Sequence, residues 1–287
     1  MVRIDLHVHT TASDGSQTPT EVLALAHEAK VTALAITDHD TVGGVAEALA
    51  AGENLGIEVI PGIELSSRYD GRDVHILGYF LDWQDPLFQV ELDRLQHTRE
   101  IRNSQIVQRL RELGLDVTDE EVKELAGAAS IGRPHIARVL MKKGYVKTAK
   151  EAFDRYLADG AAANVPRVLP EPAEAIALIR QFKGVPVLAH PSWLDRGAVR
   201  LDKVCEKLKG EGLMGVEVHY STHRPEDTRR YLDTAKRFGL LVTGGSDFHG
   251  VTKPDIEVGV GRGSLRVAPE LLTPLKETAL RGGATVA

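Results

Sequence analysis

Val2-Arg3-Ile4-Asp5-Leu6-His7-Val8-His9, at the start of the chain, is a short apolar strand candidate that runs directly into two histidines. The same arrangement recurs along the chain, and this recurrence indicates the fold. Short apolar runs that end in His, Asp or Glu alternate along the chain with helical stretches of ten residues or more. Short strands separated by helices of that length indicate βαβ units and a parallel sheet.

The chain divides into two parts by its predicted elements. We predict about seven strands, over residues 2–6, 32–37, 57–60, 74–80, 185–189, 213–218 and 240–243. Helices are predicted over residues 19–30, 42–55, 85–113, 134–143, 172–182, 201–210 and 225–238. Thr118-x-x-Glu121 and Thr148-x-x-Glu151 match the capping box, and each opens a further short helix. Because no strand signal falls between residues 81 and 166, we predict a barrel (residues 1–80 plus 167–287) and a helical insertion domain (residues 81–166) that covers the active site.

Composition limits the classes of function. The chain has 287 residues, of which 43% are hydrophobic and 26% charged, and its formal net charge is −6. A negative field disfavours extended nucleic acid and anionic membranes as partners. The single cysteine, Cys205, cannot form an internal disulfide, the start of the chain lacks the apolar core of a signal peptide, and no run approaches 18 apolar residues. We therefore expect a soluble, cytoplasmic protein.

The 11 histidines are the unusual feature of the composition, because most of them lie in or just after predicted strands. In a parallel barrel the C-terminal ends of the strands converge on the face that carries the active site. Imidazoles and carboxylates gathered there would be mutually repulsive or poorly solvated without cations, and divalent metal ions resolve that conflict. The ligand candidates at these positions are His7, His9, Asp14, Asp38, His39, Asp40, Glu64, His75, His190, Asp247 and His249.

Local patterns support this interpretation. Residues i and i+2 of an extended strand share a face, so His7 and His9 can reach one ion. Pro191 biases His190 towards an extended conformation, which would hold its imidazole at the strand end. The glycines beside Asp247 and His249 allow a sharp turn and close packing of the backbone.

Other candidate residues have weaker signals. His27 and His97 lie in predicted helices and are expected at the surface, whereas His219 either lines the pocket or packs in the core. Cys205 lies in a predicted helix away from the strand ends, so it is a poor candidate for a nucleophile.

The motifs together resemble a known family, the PHP (polymerase and histidinol phosphatase) phosphoesterases. They span residues 5 to 250 and consist of Asp5-Leu6-His7-Val8-His9, Thr37-Asp38-His39-Asp40, Pro61-Gly62-Ile63-Glu64, Ala189-His190-Pro191 and Ser246-Asp247-Phe248-His249-Gly250. The resemblance implies an α/β fold, a distorted (β/α)7 TIM-like barrel, which agrees with the strand count.

The resemblance also implies a metal-dependent phosphoesterase. Two or three Mn, Fe or Zn ions would be held by one shell of residues, with Glu64 bridging two ions and a metal-bridging hydroxide attacking phosphorus. No protein nucleophile is then required, and the general acid stays unassigned. The implied shell is His7, His9, Asp14, His39, Glu64, His75, His190, Asp247 and His249.

Within the family, the helical insertion resembles a subgroup that hydrolyses nucleoside 3′,5′-bisphosphates and trims short RNA from the 5′ end. Gly132-Arg133-Pro134-His135 falls where a helix begins, and a helix N-terminus beside an arginine suits a phosphate. Arg99 lies in the middle of the long predicted helix and could face the barrel mouth. The substrate contacts predicted from both arguments are Arg102, Asn103, Arg133, His135 and His223.

The preferred substrate is therefore a small phosphorylated nucleotide or short oligonucleotide, cleaved at its 3′-phosphate. Three alternatives stay open: a 5′-3′ exoribonuclease acting on short RNA, a histidinol-phosphate phosphatase, and a non-catalytic metal-binding module. An extended basic track, which a processive RNA enzyme would need, is not visible in the sequence.

Overall fold

The computed structural model describes residues 3–127, 131–166, 169–194 and 201–286, so the predicted boundary at residue 167 lies outside the described residues. Its described part contains a seven-stranded sheet in which the strands are neighbours in chain order. The strands are β1 Arg3–Val8, β2 Val31–Ile36, β3 Glu58–Tyr69, β4 Arg72–Tyr79, β5 Val185–Leu188, β6 Gly215–Tyr220 and β7 Leu241–Gly245. The predicted α/β barrel is confirmed.

The barrel nearly closes between its first strand and the segment after its last. Asp247 N donates to His7 O at 2.8 Å, and His9 N donates to Phe248 O at 3.0 Å. A side chain at Gly245 could not be accommodated, since a Cβ there would lie 2.3 Å from the His7 Cβ. The close approach of Gly245 to His7 confirms the prediction that the motif around Asp247 and His249 needs a neighbouring glycine.

The predictions for the third and fourth strands are each wrong in one respect. The third strand does not end at residue 60 but continues through Glu64 to Tyr69, and β4 runs antiparallel to both of its neighbours. The reason is the tight turn at Asp70-Gly71, where φ is 49° and 74°, a sequence that favours a two-residue hairpin. Because β4 is reversed, its first half lies at the end of the barrel where the parallel strands finish.

The remaining element ends agree with the predictions to within three residues. The helices are α1 Pro19–Glu28, α2 Val45–Leu55, α3 Pro86–Glu112, α4 Asp119–Ala126, α5 Arg133–Lys142, α6 Ala149–Ala152, α7 Pro172–Gln181, α8 Leu201–Gly210, α9 Pro225–Phe238 and α10 Leu272–Arg281. The capping box at Thr118 is complete, whereas Glu151 reaches the backbone of Lys147 instead of that of Thr148. No helix in the described ranges combines the length and apolarity needed to cross a membrane. Helix α10 has no predicted counterpart.

The helices α3 to α6 form a layer with its own apolar core. The first turns of α3 pack Phe88 and Leu92 against the barrel core. Further along the same helix, Ile106 and Leu110 belong to a separate cluster with Ile136 and other residues of the segment 106–165. One continuous helix thus anchors the segment to the barrel and also supports the segment's own core.

Candidate active site

The structure brings together all nine residues of the predicted metal shell. They form four overlapping groups in which the potential ligand atoms lie within 4.8 Å of one another. The groups are His9, Asp14, His39 and His249; His7, Glu64 and His190; His7, His9 and Asp247; and His39, Glu64 and His75. The reversed β4 supplies His75 from near its start, which explains how a residue before the end of its strand reaches the same mouth.

Glu64 lies at the centre of this arrangement and is almost fully buried. Its Oε2 is 3.3 Å from His7 Nε2, 3.2 Å from His9 Nε2 and 3.1 Å from His39 Nδ1. Its Oε1 is instead 2.8 Å from His75 Nδ1 and 2.9 Å from His190 Nε2. The two oxygens of Glu64 thus face two different sets of histidines.

The three carboxylates of the predicted metal shell have pKa values below their ordinary range, as carboxylates that bind cations would. Burial alone would raise the pKa of Glu64, but His39, His75 and His7 hold it well below its ordinary value. Burial is similarly overcome at Asp14 and Asp247, whose pKa values are lowered by the positive charges around them. Glu64 and Asp247 are buried and Asp14 is partly buried, and carboxylates in such surroundings need positive charge or hydrogen-bond donors beside them.

Two of the histidines have a ring nitrogen that fits the role of a metal ligand. The Nδ1 atom of His9 is buried without a hydrogen-bond partner in the described part of the chain. His39 Nδ1 lies 3.1 Å from Glu64 Oε2 but makes no hydrogen bond with it, and the pKa of His39 lies well below its ordinary value because of burial and the nearby His9 and His75. A buried imidazole nitrogen without a donor or acceptor is rare unless an ion occupies that role. The donor set of imidazole and carboxylate suits Mn, Fe or Zn.

Asp38 and Asp40, which flank His39, hold the backbone instead of joining the four groups. Asp38 accepts hydrogen bonds from Thr10 N at 2.8 Å and Ser13 Oγ at 2.6 Å. Asp40, with φ of 54°, accepts from Ser66 N at 2.8 Å. Both carboxylates fix the loops from which the ligands project.

Three residues near the cluster are absent from the sequence prediction: Glu217, Tyr220 and Lys253. Tyr220 Oη donates to Asp247 Oδ2 at 2.7 Å, and Lys253 Nζ reaches the same oxygen at 2.5 Å. Glu217 is fully buried between two apolar neighbours on β6. An acidic residue inside an apolar strand is a sequence signal that could have found Glu217, whereas Lys253 lies in an irregular segment without such a signal.

Two adjoining cavities open over the cluster, and we call them together the cleft. The metal-side cavity, of about 240 Å³, is lined by His39, Glu64, Asp73, His75, Arg133, His190, Tyr220, Asp247 and Lys253. The arginine cavity, of about 140 Å³, is lined by Asp14, His39, Ser66, Asp73, His75, Arg99, Arg102, Asn103, Gly132, Arg133, Pro134 and Phe153. The cleft therefore joins the cluster to three arginines of the α3–α5 layer.

Three of the five predicted substrate contacts line this cleft. Arg133 borders both cavities, with NH1 donating to Leu157 O at 3.2 Å and NH2 lying 3.7 Å from Asp73 Oδ2. Arg102 and Asn103 border the arginine cavity, where Asn103 Nδ2 donates to Ile131 O at 2.8 Å. Helix α5 begins at Arg133, as expected.

The other two predicted contacts lie away from the lining. His135 is buried, and its Nδ1 accepts the N–H of Gly132 at 3.0 Å at the start of α5. His223 packs between the rings of Tyr220 and Tyr231, with Nδ1 bound to Val218 O at 2.8 Å. Neither residue is among those that line the two cavities.

The remaining histidines and the cysteine have no place in the cleft. His27 and His97 are exposed, as predicted, and His219 is half-buried on β6 outside the lining of both cavities. Cys205 is buried in α8, where burial and Asp202 raise the pKa of its thiol to about 12.

Because its thiol stays protonated and buried, Cys205 should be irrelevant to catalysis. We expect Cys205→Ala to keep kcat within about twofold of the wild type, and iodoacetamide to leave the native protein's activity unchanged. Rates measured before and after alkylation check this. A thiol reagent that abolished activity in the wild type but not in the variant would show that the cysteine takes part.

A seven-stranded α/β barrel with histidines and carboxylates clustered at one mouth defines the class of metal-dependent hydrolases on TIM-like barrels. The comparisons with known proteins narrow that class. A family model described as PHP domain matches residues 5–181. The chain belongs to the PHP domain family and is a metal-dependent phosphoesterase.

The relatives act on several phosphorylated compounds. The chain is 33% identical over 260 residues to a 3′,5′-nucleoside bisphosphate phosphatase of Chromobacterium violaceum, covering 90% of this chain and 91% of the relative. It is 34% identical to a 5′-3′ exoribonuclease of Haemophilus influenzae, covering 86% and 90%. It is also 35% identical to a phosphoribosyl 1,2-cyclic phosphate 1,2-diphosphodiesterase of Eggerthella lenta, covering 86% and 94%.

A solved structure shares the architecture over nearly its whole length. A Bifidobacterium adolescentis protein, proposed to be a metal-dependent phosphoesterase, superposes with a TM-score of 0.87 at 30% identity. The match covers 96% of this chain and 95% of that protein. The helical layer over the barrel is therefore part of a shared fold.

Proposed function

We propose that the protein hydrolyses the 3′-phosphate of nucleoside 3′,5′-bisphosphates. The observation that supports this substrate is the cleft, in which a cavity beside the metal-ligand cluster adjoins a second cavity lined by three arginines. A bisphosphate has one phosphate for each cavity. Arginine forks are well suited to a phosphate that is bound but not cleaved.

Residues 81–166 serve in this proposal as a helical insertion domain that closes over the barrel formed by residues 1–80 and 167–287. Three contacts support it. Arg68 on β3 pairs with Asp159 at 3.0 Å, Arg99 lies 3.6 Å from Asp40, and Gln96 Nε2 donates to Asp40 O at 3.2 Å. These contacts hold the arginine-bearing helices over the mouth.

The nine clustered residues would hold two or three Mn, Fe or Zn ions. When bound, such ions polarise phosphate oxygens and lower the pKa of water, so hydrolysis needs no nucleophile from the protein. One oxygen of Glu64, Oε2, faces His9, and the other, Oε1, faces His75. Tyr220 and Lys253 bind Asp247 Oδ2, which leaves Oδ1 turned towards His9 Nε2 at 3.3 Å.

The size of the cleft and the net negative charge of the chain favour a mononucleotide or the end of a short oligonucleotide over long nucleic acid. The cavities measure about 140 and 240 Å³, and the chain carries a net charge of −6. A 5′-3′ exoribonuclease acting on short RNA is the second candidate, supported by the Haemophilus influenzae relative. We place the activity in the cytoplasm, where a lone buried cysteine stays reduced.

Hydrolysis of phosphate esters by this protein should require a divalent metal ion. We expect the purified chain to hydrolyse a generic aryl phosphate in the presence of Mn²⁺, and EDTA to abolish that hydrolysis. The measurement is release of the coloured phenolate, followed by re-addition of Mn²⁺. A chain that binds Mn²⁺ but never hydrolyses the ester would instead be a non-catalytic metal-binding module.

The protein should prefer a substrate with two phosphates, because the cleft consists of two adjoining cavities. We expect kcat/KM for a nucleoside 3′,5′-bisphosphate to exceed that for histidinol phosphate by about tenfold or more, because only the former can place a second phosphate among the arginines. Short 5′-phosphorylated RNA and phosphoribosyl 1,2-cyclic phosphate complete the panel. A tenfold preference for histidinol phosphate would refute the role given to the helical insertion.

A further inference from the structure

We propose that Glu217 is a positioning residue whose one buried carboxylate sets the orientation of two metal ligands, His7 and His190. The inference rests on the proposed metal centre and adds a residue that contacts two of its candidate ligands. Glu217 belongs to none of the four potential ligand groups. Its role would therefore be exerted through other side chains and not by contact with an ion.

The carboxylate of Glu217 bridges two strands at the barrel mouth. Glu217 is fully buried on β6, and its Oε1 lies 3.0 Å from His7 Nδ1. Its Oε2 accepts the backbone N–H of His190 at 2.7 Å. One side chain thus binds a ligand on β1 and another immediately after β5.

The first bond selects the nitrogen that His7 presents to the cluster. A carboxylate only accepts hydrogen bonds, so Nδ1 of His7 must carry the hydrogen. In the neutral ring that binds a metal, Nε2 then has the lone pair, and it lies 3.1 Å from His9 Nε2 and 3.3 Å from Glu64 Oε2. A hydrogen bond at the outer nitrogen is how metal-binding histidines are commonly fixed in tautomer and orientation.

The second bond holds an unusual backbone conformation at His190. The sequence predicts an extended residue before Pro191, but φ is 26° and ψ is 62°, and this prediction is wrong. A residue with a side chain adopts positive φ only where its surroundings enforce it. The bond to Glu217 supplies that restraint, and the resulting turn places His190 Nε2 2.9 Å from Glu64 Oε1.

Glu217→Gln tests the proposal because a carboxamide has one acceptor atom where Glu217 has two. The side chain would face two N–H groups with only one acceptor oxygen, so one of the two present N–H···O bonds must be lost or replaced by a bond of the opposite direction. Either His7 can present the wrong nitrogen to the cluster, or the turn at His190 loses its restraint. The change adds no bulk and leaves the nine ligand candidates intact.

The readouts are metal affinity and the state of the His7 ring. In chelator competition on the full chain, Glu217→Gln should bind Zn²⁺ about 10- to 100-fold more weakly than wild type. In NMR spectra of the zinc-loaded, ¹⁵N-histidine-labelled protein, a hydrogen-bonded Nδ1–H of His7, assigned by its absence in His7→Gln, should move or vanish in Glu217→Gln. Asp227→Asn is the control, since Asp227 is also buried but pairs with Arg224 and Arg230 on α9.

Wild-type zinc affinity with an unchanged His7 signal in Glu217→Gln would overturn the proposal, even if the variant unfolded at a lower temperature. If Glu217→Gln does not fold, Glu217→Asp, which keeps the charge but is one methylene shorter, replaces it. Weaker zinc binding in that variant supports the role of Glu217, and wild-type binding refutes it. A wild-type chain that binds zinc yet hydrolyses no phosphate ester would refute the proposed function and leave the Glu217 result valid.

Discussion

Replacing Asp247 by Asn, or His9 by Ala, is expected to lower kcat by about a hundredfold to a thousandfold or more while the fold survives. Asp247 Oδ1 lies 3.3 Å from His9 Nε2 and 3.6 Å from His7 Nε2. Loss of either side chain would weaken the binding of a metal ion next to the phosphate that is hydrolysed. The measurement is steady-state hydrolysis of an aryl phosphate after reconstitution with saturating Mn²⁺.

Matched controls separate this effect from general damage. Asp227→Asn changes a buried carboxylate outside the cleft, and His27→Ala removes an exposed histidine of α1. Both controls should keep wild-type turnover within about threefold. Wild-type activity in metal-reconstituted Asp247→Asn and His9→Ala would disprove the assignment of these residues as ligands.

Arg133→Ala is expected to distinguish substrates with one phosphate from substrates with two. Arg133 borders both cavities of the cleft and belongs to α5, outside the metal-ligand cluster. Loss of one charge-assisted contact costs about 1.5–3 kcal/mol, which corresponds to about a 10- to 100-fold lower kcat/KM. That loss should fall on a nucleoside 3′,5′-bisphosphate, whereas hydrolysis of an aryl phosphate should stay within about threefold.

The control for Arg133 is another arginine of the same helical layer. Arg155 is exposed, pairs with Glu151 at 2.8 Å and lies outside the lining of the cleft. Arg155→Ala should leave both substrates unaffected. Equal losses on the two substrates in Arg133→Ala would mean that Arg133 stabilises the layer through Asp73, Asp159 and Leu157, and the specificity role would be wrong.

The class of fold and the residues that cluster at the barrel mouth were both predictable from the sequence. Strand ends that carry His, Asp or Glu converge in a barrel of this kind, so motifs as distant as His7 and Asp247 could be assigned to one site before any distance was known. The start of α4 followed from a local signal, the capping box at Thr118, because caps depend on residues within one turn.

Features that depend on contacts between residues far apart in the chain were not predictable from the sequence. The reversal of β4 placed His75 at the mouth, and the two oxygens of Glu64 were divided between histidines of four other segments. His190 shows the physical reason most clearly. The local preference set by Pro191 is an extended backbone, but His190 has a positive φ, and its backbone N–H donates a hydrogen bond to a residue 27 positions away. Such a contact is fixed by packing in three dimensions and has no signature in the neighbouring sequence.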